Sequence, residues 1–206
     1  LGNSAVASGL GATLAMGLSV AVAWLDVRRG GRMWSGMDYV LLSSVTLPSV
    51  VLGLAALLLY LWVGNGVYGT VWMLGLVYAA RTGIVSRSAR AAVMQVSREL
   101  EEAAWVCGAS GTTVLRRILI PVILPGILGG WLLHFVAHYR ESTLALLLYQ
   151  PESVVAGVRI WQLYDAGRMG EASALGLLVV GILLVAVYAA GRWGGSGWAG
   201  KARRER

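Results

Sequence analysis

Several stretches of about twenty apolar residues carry no charge, and they decide what this chain can fold into. Ala5–Leu25 contains no Asp, Glu, Lys or Arg before Asp26. As a helix rising about 1.5 Å per residue, such a run crosses roughly 30 Å of hydrocarbon. Further runs cover Tyr39–Val63, Val67–Val85, Ile118–Tyr139 and Ala172–Gly191. In lipid every backbone N–H and C=O must be satisfied within the chain, which runs of this length achieve as helices. Only 13% of the residues are charged, against about 25% in a soluble domain. The expectation is an all-α, polytopic membrane bundle with five transmembrane helices.

The five runs differ in strength. Pro48 falls inside the second and is expected to kink it. Gly64-Asn65-Gly66 reads as a tight turn. The third run is the weakest because it holds Arg81, which must lie near a helix end to reach water. The fourth opens with Pro121 and Pro125. Arg140–Glu171 reads as a mixed loop, within which Val154, Val155, Val158, Trp161 and Leu163 suit a short interfacial helix. Residues 192–206 form a Gly-rich, basic tail, expected to be mobile.

Alternating sides sort the charges. With the segment around Glu102 placed inside, fourteen of the seventeen Lys and Arg fall on the cytoplasmic side and three, Arg140, Arg159 and Arg168, fall outside. That is the positive-inside bias, and it makes lipid, not nucleic acid, the partner behind the net charge of +7. Because the chain begins at Leu1, with no basic head or cleavage site before the first span, an upstream helix is expected to be missing.

The cytoplasmic segment 86–117 is the most informative polar stretch. From Val93, apolar residues recur at Val96, Leu100, Ala103, Ala104 and Cys107, on one helical face. Gly108 suits a left-handed helix stop, and Ser110 or Thr112 can cap the helix that follows. On this reading Glu101 and Glu102 lie near a helix C-terminus, which disfavours negative charge, and Arg98 offsets them by i, i+3 and i, i+4 pairing. The small side chains of Ala103 and Ala104 admit a close partner surface.

The same stretch reads Glu102-Ala103-Ala104, three residues, Gly108, nine residues, Ile118, one residue, Ile120-Pro121. This resembles the EAA motif of permease subunits from bacterial ABC importers, with Ile120 in place of Leu. The likeness extends to Leu1-Gly2-Asn3-Ser4, Leu47-Pro48 with Gly53, Arg140-Glu141-Ser142, Leu146-Leu147-Leu148-Tyr149 and the run 167–172. The first two fit the family's helical core; the segments at 140–142, 146–149 and 167–172, with 100–110, are similar to the ferric-iron branch. The resemblance implies a MetI-like permease core over 1–206 in the bacterial inner membrane. It makes Glu102, Ala103, Ala104 and Gly108 coupling residues that dock into an ATP-binding subunit. It also implies a second permease half or copy, an extracytoplasmic substrate-binding protein, and ferric iron as a first guess at substrate. No catalytic residue, metal or cofactor is expected in this chain: it holds no G-x-x-x-x-G-K-[ST] loop, so ATP must be bound by a partner.

Other signals carry less. Gly64-x-Gly66-x-x-Gly69 matches a dinucleotide fingerprint but lacks the strand and helix that give it meaning. Gly126-x-x-x-Gly130 permits close helix packing. The one cysteine, Cys107, excludes an internal disulfide and a CxxC site. His134, His138 and Glu141 have a spacing a membrane metalloenzyme could use, although interfacial histidines are the plainer reading. His134, Arg140 and Glu141 are the candidates for a translocation pathway, and an ion-gradient-driven transporter using them is the alternative function.

Overall fold

The computed structural model describes residues 1–63 and 66–202, with the side chains of 193–202 left aside. Among the described residues there are helices and turns and no strands. The turn expected at Gly64-Asn65-Gly66 lies largely outside them, as do residues 203–206 of the basic tail.

Helix α1, Gly2–Arg29, is the central post. Two helices run parallel to it in succession. Helix α4, Val71–Ala79, covers its first half, and α5, Gly83–Met94, covers its second. Small residues set the α1–α4 approach. A Cβ on Gly11 would stand 2.6 Å from the Tyr78 Cβ, and one on Gly75 would stand 2.5 Å from Leu10 Cδ2. Helix α8, Ile120–Tyr139, packs on both α1 and α5, where a Cβ on Gly130 would meet Ser88 and Met16 at 2.7 and 2.8 Å. The Gly126-x-x-x-Gly130 pattern thus serves packing within this chain.

Three helical stretches are long and apolar enough to cross a membrane: Gly2–Arg29, Gly111–Tyr139 and Met169–Arg192. The expected second span is α2, Arg32–Ser43, followed by a 3-10 turn and α3, Ser49–Val63, with a bend of 109° between the two halves. Pro48 does more than kink it. The residue before a proline is driven out of the helical region, and Leu47 is extended at φ −74°, ψ 124°. The expected third span is also not one helix. It stops at Ala79, and α5 restarts at Gly83 after Arg81 and Thr82. Among the described residues there are thus three such spans, or four if the bent pair counts as one, and not five.

The fourth span starts earlier than its apolar run. Helix α7, Gly111–Val114, passes into a π-turn at Leu115–Leu119 and then into α8. Pro121 has no N–H to give to a carbonyl one turn back. Just before it, the Ile120 N–H bonds to Leu115 O, five residues back, the widened register of a π-turn.

Residues 140–168 are not merely a surface loop. Helix α9, Thr143–Leu148, and α10, Ala156–Asp165, with Val155 just ahead of it, contribute Leu144, Ala145, Leu148, Val155 and Val158 to a core shared with Ala7, Ala56, Met73, Leu74 and Tyr78. The short helix expected around Val154–Leu163 is α10. Asn3 donates to the carbonyls of Glu152 and Val154 at 3.0 and 3.1 Å, and Ser4 accepts from Ala156 N at 2.7 Å. These bonds tie the start of α1 to that end of the bundle. Helix α11, Met169–Ala202, continues past Gly191, where the fifth span was expected to end.

Candidate coupling surface and polar cavity

At the arginine-rich end, the helix expected from Val93 through Cys107 is two helices. Helix α5 ends at Met94, and α6 runs Arg98–Val106 from the Ser97 cap, whose hydroxyl accepts from Glu99 N at 3.2 Å. The break changes the electrostatics. Glu99 and Glu101 stand in the first turn of α6, where the helix dipole favours negative charge, not near a C-terminus. It also separates the apolar residues. Val93 and Val96 are buried in the core beside α1, whereas Leu100, Trp105 and Val106 are exposed, Val106 at 89%.

The close of α6 follows the expected chemistry. Gly108 has φ +81°. Ala109 N donates to Ala104 O at 3.0 Å and Gly108 N to Trp105 O at 2.9 Å, a Schellman motif. Ser110 then caps α7 by accepting from Thr113 N at 3.3 Å. Glu102 and Ala103 face outward, and Ala104 is half-buried. Arg98 pairs with Glu102 at 3.4 Å, the expected i, i+4 contact. The result is a short ledge with an acid, small side chains and an uncovered apolar edge.

The two adjacent glutamates part company. Glu101 is fully buried, and Arg28 of α1 directs both Nε and Nη2 to its Oε1 at 2.6 Å. Arg28 Nη2 also donates to Val96 O at 2.9 Å. Nearby, Arg90 of α5 binds Asp26 of α1 and, at 3.2 Å, Asp38 of α2. Ser35 donates to Asp26 Oδ1 at 2.7 Å. Sequence reasoning missed both pairings, since Arg28 and Glu101 lie 73 residues apart.

A second polar group lies where α4 gives way to α5. A cavity of about 340 Å³ is lined by Arg81, His138, Arg140, Glu141, Ser142 and Thr143, among others. Arg81 does not snorkel to the cytoplasmic side, where the charge count had placed it. It pairs with Glu141 at 3.5 Å and donates to Ser49 Oγ at 2.8 Å. Glu141 Oε1 also accepts from Leu144 N at 3.2 Å, at the start of α9. Setting Arg81 aside changes the count read from the sequence to thirteen against three, so the charge bias expected there is kept.

His134 is fully buried and lies behind this cavity instead of lining it. Its Nε2 stands 3.2 Å from Tyr78 O, and His138 Nδ1 stands 2.9 Å from His134 O. A carbonyl oxygen only accepts, so each of these nitrogens must carry the proton. The opposite nitrogens, His134 Nδ1 and His138 Nε2, then present lone pairs in the neutral rings. Both are buried without a partner among the described residues, as is Tyr78 Oη. The two imidazoles stack with centroids 4.1 Å apart. Among the described residues no three His, Cys, Asp or Glu side chains converge as a metal site.

The family model for binding-protein-dependent transport system inner membrane components matches residues 13–193. The chain belongs to that family. Its curated relatives are transport permeases, not enzymes. It is 27% identical over 189 residues to the putrescine transport system permease protein PotI of Escherichia coli, which covers 88% of this chain and 66% of PotI. It is 24% identical over 179 residues to the Fe(3+)-transport system permease protein FbpB 2 of Haemophilus influenzae, covering 86% of this chain and 35% of that protein. The chain thus spans about two thirds of the one and about a third of the other. In fold it is similar to an inward-facing structure of the MetNI methionine ABC transporter. There the TM-score is 0.71, at 16% identity, with 94% of this chain and 92% of the other covered.

Proposed function

We propose that this chain is the permease subunit of a bacterial ABC importer. The observation that carries the reading is the α6 ledge. Glu102, Ala103 and Ala104 are presented before a Gly108 stop, and the chain then enters the 29-residue stretch Gly111–Tyr139, long enough to cross a membrane. An ATP-binding subunit seated on α6 would push directly on the root of that helix. Family membership and the inner-membrane relatives support the reading. Two permease halves or copies would enclose the route, and a substrate-binding protein would deliver solute at the end formed by Asn3, Glu152 and α10. Closure of the ATP-binding subunits would tilt the helices between outward- and inward-facing states.

Arg140 and Glu141, with His138 and Arg81, are the residues we assign to the route, since they line the polar cavity. His134 acts behind them by orienting His138. If His134→Ala leaves transport unchanged, that role is wrong. Relatives named for putrescine, spermidine/putrescine and Fe(3+) transport stand at comparable identity. Ferric iron, suggested by the 140–149 and 167–172 motifs, and polyamines are therefore both candidate substrates. A gradient-driven transporter is the second reading, favoured by the Arg81–Glu141 pair beside His138.

Co-purification tests the importer. Full-length parent, Glu102→Lys and Gly108→Asp proteins are extracted in mild detergent and assayed for a bound ATP-binding subunit and ATP hydrolysis. The parent retains the subunit, and both variants lose it while remaining folded. A parent that holds no such subunit under conditions preserving the complex contradicts the reading.

A further inference from the structure

Resting on the coupling reading above, we propose that Arg28 and Glu101 form a latch that makes α6 and α1 move as one body. The neighbouring glutamates thereby divide the work, Glu102 facing the ATP-binding partner and Glu101 facing the post. Glu101 has no exposed surface, so a partner docking on α6 cannot reach it. The break at Gln95–Ser97 leaves α6 without a continuous helical connection to α5, and the link there is a short turn. Arg28 ties that turn to α6. One guanidinium grips Glu101, on α6, at 2.6 Å and the carbonyl of Val96, within the break, at 2.9 Å. A fork of fixed donors suits this double grip, which a lysine ammonium would not reproduce.

The charges have a direction. Glu101 belongs to the first turn of α6, and Arg28 to the last turn of α1. Each lies at the helix end whose dipole favours it. The second carboxylate oxygen, Glu101 Oε2, is buried with no partner among the described residues. A buried ion pair with an unsatisfied oxygen is a poor way to gain stability. Its value lies in holding one orientation of α6 on α1. From there Asp26–Arg90 and Arg90–Asp38 carry the connection to α5 and α2. A displacement of α6 is thus delivered to three helices.

The test is a distance measurement in the full-length permease assembled with its ATP-binding subunit. Spin labels are placed at Glu99→Cys on α6 and Leu18→Cys on α1, in a Cys107→Ser background. In the latched protein the α6–α1 distance is the same in nucleotide-free and ATP–vanadate states. In Glu101→Gln it shifts on ATP–vanadate, and bound ATP-binding subunit stays at the parental level. The double variant Arg28→Met with Glu101→Met guards against misfolding, because apolar replacement of a buried pair is often neutral for stability. It shows the same nucleotide-dependent shift. The proposal is overturned if the latched protein already shifts. It is overturned if neither variant does, or if the variants broaden equally with and without nucleotide, which marks a merely structural tie. Failure of the unmutated latch protein to bind the ATP-binding subunit is a different result and removes the coupling reading together with this one.

Discussion

At the scale of single residues, two glycines act by different physics, and substitutions separate them. Gly108 needs its left-handed φ of +81°, yet a Cβ there would meet nothing within 4 Å. Gly108→Ala should therefore cost only the backbone strain, about 1–2 kcal/mol, read as faster amide exchange in the last turn of α6. Gly130 has ordinary backbone but no room. Gly130→Val should cost roughly 1–3 kcal/mol through overpacking against Ser88 and Met16, lowering the detergent melting temperature. Gly129→Ala, with open space around its Cβ, should leave it unchanged. Glu141→Ala leaves Arg81 with Ser49 Oγ as its remaining close partner and Leu144 N without its acceptor, and should cost roughly 1–3 kcal/mol in the same assay.

At the scale of elements, breaks matter more than helices. The bend between α2 and α3 is held at its α2 side by α5. Thr82 Oγ1 donates to Leu41 O at 2.9 Å, and Gly83 N donates to Ser44 Oγ at 2.9 Å. Ser44→Ala leaves the Gly83 N–H without its acceptor and should cost about 1–2 kcal/mol, visible as faster exchange at Gly83. These breaks were only partly legible in the sequence. Pro48 and Arg81 each marked one, because a proline and a charge interrupt an apolar run by local rules. The break at Gln95–Ser97 carried no such mark. Val93, Val96 and Leu100 fit a single helical face, and that pattern cannot tell which residues tertiary packing buries. Helix α9 was hidden for a related reason. Leu144–Leu148 is too short to read as a span, and its burial depends on Ala7, Met73 and Leu74, distant in sequence.

For the whole molecule, the fold class and the α6 ledge were legible because each follows from local signals: uncharged runs, a Gly stop, and a motif of fixed spacing. The Arg28–Glu101 latch and the Arg81–Glu141 pair were not, since each joins residues that only the folded bundle brings together. In the importer proposed above, ATP, not an ion gradient, moves this bundle around the cavity at Arg81, His138 and Glu141. The direct measurement uses Ser142→Cys in the Cys107→Ser background, in the assembled full-length complex in proteoliposomes. Labelling by a membrane-impermeant thiol reagent is followed from each side. Accessibility is expected to change side when ATP is supplied on the α6 side and to ignore an imposed proton or sodium gradient. Accessibility that follows the gradient and ignores ATP would contradict it.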